Sequence, residues 1–288
     1  MDTTAPQFDP IKYKKTTREQ WQSAAEAWYR WSSTLSQWLG PATDRMLQMA
    51  GVSPGHKVLD VAAGAGEQSI TAARKVGSNG YVLATDISPN ILEFAKQTAE
   101  QAGFHNIEVA VMDGENLTLE DESFDIVISR VGLIYFPDQQ KALKEMLRVL
   151  KSGGKVAAIV YSTPDKNKFF SAPVSIIRSR AKLPAPLPGQ PGPFSLGAAN
   201  VIESAFVEAG FTDVRSELVD SPLRLSSAKE CVRFEKESFG ALHQMMSGLT
   251  EIEKQSVWEE IERELQTFEN DNGFVGPCEM VVAVGEKP

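Results

Sequence analysis

Along the chain, short apolar runs alternate with stretches in which apolar residues recur every three or four positions, the pattern of strands interleaved with amphipathic helices. Thr17 and Gln20 have the spacing of a capping box. Trp21, Ala24, Ala25, Trp28, Leu35 and Trp38 follow at helical spacing, up to a break predicted at Gly40-Pro41 and a short helix over Ala42 to Ala50. Residues 1 to 16 show little apolar periodicity. An apolar strand starting at Lys57 reaches Asp60 and runs into a small-residue turn with Gly64 and Gly66, after which Glu67 to Val76 has helical composition. A second strand, Tyr81 to Asp86, leads to Ser88 and Pro89, which cap and open a helix closed by Gly103. Further strands are predicted at Ile107 to Met112, Phe124 to Arg130 and Lys155 to Tyr161, with an amphipathic helix over Asp138 to Leu150. Strand, glycine turn and helix form the grammar of doubly wound α/β folds, whose ligands lie at the carboxyl ends of the strands.

Beyond Tyr161 the pattern loosens. A short apolar helix near Val174 to Ile177 precedes the stiff passage LPAPLPGQPGPF, which suits neither helix nor central strand. A helix over Ala198 to Ala209, a strand over Thr212 to Leu225, helices over Ala228 to Ser247 and Thr250 to Phe268, and a last strand over Val275 to Gly285 complete the prediction.

Composition narrows the classes. The 288 residues carry a formal net charge of −9, with no basic block, which argues against a partner with a phosphate backbone. Cys231 and Cys278 form neither a CxxC nor a metal-ligand pattern, so reduced thiols and no metal are expected. No apolar run approaches the ~20 residues that cross a bilayer, and the polar amino terminus is unlike a secretory signal, so a cytoplasmic location is expected.

The glycine turn identifies the ligand class. A dinucleotide fingerprint would place a third glycine where Ser69 stands, and Asp60 would repel a pyrophosphate while favouring an ammonium or sulfonium. Asp86 follows Gly66 by about 20 residues, the offset at which an acid reaches the ribose hydroxyls of an adenosine-type ligand, with Ile87 able to pack on the adenine. Asp113 ends the third strand, so three successive strands each end in a carboxylate.

Asp60-Val-Ala62-Ala-Gly64-Ala-Gly66 resembles motif I of the class I S-adenosylmethionine (SAM)-dependent methyltransferases, in the branch similar to the ubiquinone/menaquinone-biosynthesis C-methyltransferases (methyltransferase type 11). KEMLRVLKSGGKV resembles the same family's lead into strand five. The resemblance implies a Rossmann-like doubly wound sheet of seven strands, mostly parallel with the last antiparallel. It implies SAM as cofactor, S-adenosylhomocysteine as product and no metal. Ala62 stands where the motif's first glycine would be, and its carbonyl would face the cofactor's amino group. Asp113 and Gly114 match the adenine site, and Ser129 to Leu133 the stretch beside the methionine moiety, where Arg130 either pairs with a carboxylate or points to solvent.

By that analogy residues 1–50 form a helical lid, 51–163 the cofactor core, 164–197 a cap insertion, 198–225 a return to the core, 226–272 a helical cap and 273–288 the final strand. Trp28, Phe169, Phe170 and Met245 are candidates for the methyl acceptor, though a stripe of such residues also suits plain core. A hydrophobic or planar small molecule, methylated at carbon or oxygen, fits that cap. His243 is the one histidine placed to act as a base, with Tyr161 as a second candidate. An NAD(P)-dependent oxidoreductase and a non-catalytic SAM-binding protein are the alternatives.

Overall fold

A computed structural model describes residues 8–187 and 189–288. Residues 1–7, read above for an unsignalled amino terminus, and Pro188 lie outside them. The chain opens with two helices, α1 (Pro10–Arg30) and α2 (Ser32–Met49). An alternating series follows: β1 (Lys57–Val61), α3 (Glu67–Val76), β2 (Tyr81–Asp86), α4 (Pro89–Gln101), β3 (Ile107–Val111), β4 (Phe124–Arg130), α5 (Gln139–Val149) and β5 (Leu150–Tyr161). The remainder comprises α6 (Lys168–Arg180), α7 (Val201–Ala209), β6 (Thr212–Asp220), β7 (Leu223–Leu225), α8 (Ala228–Ser238), α9 (Gly240–Met245), α10 (Glu251–Leu265), β8 (Glu269–Asn270), β9 (Gly273–Gly276) and β10 (Glu279–Glu286).

Seven strands form one sheet in the order β3-β2-β1-β4-β5-β10-β6. Pairings among β1 to β5 are parallel, and β10 runs antiparallel to β5 and β6, as the sequence led us to expect. The central strands are apolar on both faces because helices cover both: Val58, Leu59, Val127, Ile128, Ala157 and Ile159 are all fully buried. The strand order reverses between β1 and β4, which opens a crevice at their carboxyl ends.

Four sequence expectations are corrected. The first helix begins at Pro10 rather than Thr17, because Asp9 accepts from the backbone N–H groups of Ile11 (3.1 Å) and Lys12 (3.0 Å) and proline suits the first helical position. The helical run breaks at Trp31, not at Gly40-Pro41. α2 continues through Pro41, where the buried stripe of Leu35, Trp38, Leu39, Ala42, Met46 and Leu47 outweighs the lost hydrogen bond. The two late strands each divide. Pro222 and Pro277 cannot donate to a ladder, so β7 and β9 peel away beside them into a small antiparallel sheet, order β7-β9-β8. The long helix expected over Ala228 to Ser247 also divides, at Phe239-Gly240, where Gly240 lies against Gln20 of α1.

Among the described residues, no helix is long and apolar enough to cross a membrane, and no group of His, Cys, Asp and Glu is arranged to hold a metal ion. Cys231 and Cys278 are free and buried.

Candidate functional site

The crevice at the strand-order reversal deepens into a cavity roofed by α1 and α2. Its floor is made by the turns after β1 and β4, which press together. A Cβ on Gly132 would come within 2.4 Å of the Ala62 Cβ. Ala62 (φ 59°) and Val131 (φ 60°) both hold left-handed backbone there, a strained state for a β-branched valine. Such strain persists only where packing enforces it, and here it shapes the floor of the cavity.

One wall carries Asp86 and Ile87. Asp86 accepts from the backbone N–H of Gly64 (3.1 Å) and of Ser88 (2.9 Å), which fixes the glycine turn to the tip of β2. Burial raises the carboxyl of Asp86 to about 6, against the pull of the Ser88, Gly64 and Ile87 amides. Asp113 and Gly114 lie farther along, with Met112 and Phe136 supplying apolar surface. A Cβ on Gly114 would meet the Phe136 ring at 2.6 Å, so only glycine allows that approach.

The other wall carries Arg130, Glu67 and Gln68. Arg130 is not turned to solvent: it is buried, pairs with Glu67 at 2.9 Å and reaches the Thr43 hydroxyl at 3.4 Å. Burial raises the Glu67 carboxyl, with Arg130 opposing. The second oxygen of Glu67 and the side-chain oxygen of Gln68 are buried without partners. Two orphaned acceptors beside a cation, lining one cavity, are suited to a ligand with an ammonium group. The lining is completed by a group of aromatic rings, Trp21, Trp28, Tyr135, Tyr161 and Phe239.

Helix α1 is tied across the mouth. Lys14 Nζ lies 2.6 Å from both Asp113 and Glu115. Burial lowers the Lys14 ammonium, but the two carboxylates outweigh it and the net shift is upward. Removing this latch with Lys14→Ala should speed limited proteolysis within α1 about fivefold, the effect of ~1 kcal/mol on local opening. Raised salt should move the wild type in the same direction. An unchanged cleavage rate would show that the latch does not hold the helix.

Of the residues singled out from the sequence, Ala62, Gly64, Asp86, Ile87, Asp113, Gly114, Arg130, Trp28 and Tyr161 line this cavity. Others do not. Asp60 is fully buried beneath the turn, accepting from Ser69 (2.5 Å) and Gln68 (3.3 Å), so the trio of strand-end aspartates does not encircle the cavity as expected. Gly66 packs on Ala95 of α4 instead. Phe169 and Phe170 are core residues, 0% and 2% exposed, stacked among Trp38, Tyr161 and Phe239. Met245 packs against the same core. His243 is corrected as a candidate base. The short helix α9 presents it outward, where its Nε2 lies 2.7 Å from the Lys236 carbonyl oxygen in a separate shallow groove.

Residues 38–176 match the model of the ubiE/COQ5 methyltransferase family. A demethylmenaquinone methyltransferase of Staphylococcus epidermidis is 35% identical over 176 residues, which cover 57% of this chain and 70% of that protein. The chain belongs to the ubiE/COQ5 methyltransferase family. A demethylmenaquinone methyltransferase of Listeria welshimeri is 37% identical over 119 residues, covering 41% of this chain and 50% of that protein. The chain thus spans about half the length of several of the curated relatives it matches. The YcgJ protein of Bacillus subtilis, a solved structure, has the same fold, with a TM-score of 0.59 at 18% identity over 85% of this chain and 97% of its own.

The stretch matched to the ubiE/COQ5 family starts at the last turns of the roof and ends within α6. It contains the glycine turn, Glu67, Asp86, Asp113 and Arg130, but neither Lys14 nor the aromatic groups of α1 and Phe239. Glu67 and Gln68 escaped the sequence reading although they immediately follow Gly66 at the start of α3, which is a usable signal. Lys14 carried none, since its partners lie about a hundred residues away.

Proposed function

We propose that the chain is a SAM-dependent methyltransferase acting on a small aromatic acceptor. The observation that carries this reading is Asp86, whose carboxylate is bonded to the glycine turn at the sheet's switch point and lines a cavity that carries both carboxylates and aromatic rings. The donor set fits the cofactor in three places. Asp86 would accept from the ribose hydroxyls, and Ile87 and Met112 would flank the adenine near Asp113 and Gly114. Arg130 would take the carboxylate of the amino-acid end, and the orphaned oxygens of Glu67 and Gln68 its ammonium. When bound, SAM supplies an electrophilic methyl group whose departure leaves a neutral thioether and needs no proton.

The chain's own residues then position and desolvate. The aromatic rings select a planar, apolar acceptor and exclude water from it. Burial holds the phenols of Tyr135 and Tyr161 well above their ordinary range, so they stay protonated and can donate to an acceptor oxygen. Helices α1 and α2 serve as a lid, and segments 164–197 and 226–272 as the cap. The named relatives, demethylmenaquinone methyltransferases, favour an acceptor of the quinone type.

Calorimetry should give micromolar or tighter binding of S-adenosylhomocysteine and none of NADH. Label from methyl-tritiated SAM should move to a short-chain demethylmenaquinol. Binding of NADH in place of S-adenosylhomocysteine would overturn the assignment. Cofactor binding without transfer to any phenol or quinol would leave a non-catalytic SAM-binding protein.

A further inference from the structure

Two cations line the cavity: Arg130, among the groups suited to the cofactor's amino-acid end, and Lys14, beside Asp113. Lys14 stands on the face of α1 that also brings Thr17, Trp21 and Trp28 to the cavity, residues spaced as one side of a helix. It precedes residues 38–176, the stretch matched to the ubiE/COQ5 family.

Its neighbours fix it in place. Lys14 Nζ lies 2.6 Å from one oxygen of Asp113 and 2.6 Å from one oxygen of Glu115. The other Asp113 oxygen accepts from the backbone N–H of Glu115 at 3.0 Å, and the other Glu115 oxygen from the backbone N–H of Asp138, the N-cap of α5, also at 3.0 Å. The ammonium is thus held from two sides at the tip of β3. Asp113 and Glu115 are its two acceptors among the described residues, and an ammonium carries three N–H groups, so one is left to donate. Asp113 also keeps acceptor capacity, since each carboxylate oxygen accepts twice. A cation needed only to tie α1 down could stand at the rim, where Lys12, Lys15 and Arg18 are exposed; Lys14 is instead bonded to a carboxylate that lines the cavity.

At this place the chain sets a donor and an acceptor side by side. Adenine carries the complement along its edge: the amino group donates, and the ring nitrogens on either side of it, N1 and N7, accept. Met112 and Phe136 supply apolar surface beside the pair for the faces of such a ring.

We propose that Lys14 reads the purine of the cofactor: its remaining N–H donates to the ring nitrogen beside the adenine amino group, while Asp113 accepts from the amino group itself. The Lys14–Asp113 pair then acts as one two-point contact, preformed by Glu115 and completed only when α1 lies across the cavity. Closure of the helix and recognition of the base become one event. This inference rests on the methyltransferase reading for the identity of the ligand.

The test is titration calorimetry of the full chain with S-adenosylhomocysteine and with its 1-deaza and 7-deaza analogues, each of which lacks one of the two nitrogens. The wild type should bind at least one analogue about tenfold more weakly, the loss expected of one hydrogen bond from a charged donor. In Lys14→Met that analogue should bind as well as S-adenosylhomocysteine does, which also names the nitrogen. Glu115→Gln loosens the same tie but leaves Lys14 on Asp113, so it should weaken all three ligands alike and keep their ratios. Equal binding of the three ligands by the wild type, or discrimination that persists in full against both analogues in Lys14→Met, overturns the proposal and leaves Lys14 a tie alone. Should Lys14→Met bind too weakly for comparison, a crystal structure of the wild type with S-adenosylhomocysteine decides: Nζ within hydrogen-bonding distance of N1 or N7 upholds the contact, and Nζ turned from the purine refutes it. Failure of the wild type to bind S-adenosylhomocysteine at all would instead remove the methyltransferase reading, a result distinct from binding without discrimination.

Discussion

Asp86→Ala is expected to weaken S-adenosylhomocysteine binding at least tenfold, a loss of ~1.4 kcal/mol or more. Two losses combine. The ribose hydroxyls would lose a charged acceptor, and the N–H groups of Gly64 and Ser88 would lose the carboxylate that fixes the glycine turn against β2. The second loss also acts without ligand, so the variant should melt lower, by ~1–3 kcal/mol of stability for the buried donors left unpaired. Asp86→Asn separates the two, because an amide oxygen can still accept from one backbone N–H while its charge is gone. Titration calorimetry with thermal melts of all three proteins is the check. Full affinity in Asp86→Ala would take this carboxylate out of the site.

The second large effect concerns Asp60, which lies under the site rather than in it. Burial raises its carboxyl from 3.8 to about 7, opposed by Ser69, Arg130 and Gln68 and aided by the nearby Asp86. The folded chain therefore holds this proton to higher pH than the unfolded chain does. Across that window the folded state binds more protons, so Asp60's contribution to stability is full below about pH 4 and declines as pH rises to about 7. Asp60→Asn removes the titration. The stability difference between variant and wild type should swing towards the variant by up to ~4 kcal/mol from about pH 4 to about pH 8. Chemical denaturation at a series of pH values would reveal the slope, and a difference independent of pH would contradict the buried, proton-holding role.

Asp60 also marks where sequence legibility ends. The alternating strands and helices from Lys57 to Tyr161 were readable because each has its own period and its own stop signal: Ser88-Pro89 opening α4, Asp138 capping α5. The carboxylate at each strand end was equally readable, but its depth along the strand was not. Asp60 pairs with Ala84, two residues short of Asp86, so on the same face of the sheet it lies deeper, under Ser69 and Gln68, while Asp86 at the last residue of β2 reaches the cavity. Prolines misled in both directions. Pro41 was overridden by the buried stripe of α2, whereas Pro222 and Pro277 split strands that looked continuous. The aromatic group depended on contacts between α1, β5 and α8, far apart in sequence, so its individual members could not be ranked. His243 looked well placed only because the bend at Phe239-Gly240 was not foreseen.

A crystal structure of the chain with S-adenosylhomocysteine tests the central claim most directly. The account predicts the ribose on Asp86, the adenine beside Ile87 and Asp113, and the amino-acid end between Arg130 and Glu67. Ligand bound elsewhere, or bound in the cavity with Asp86 turned from the ribose, would contradict it.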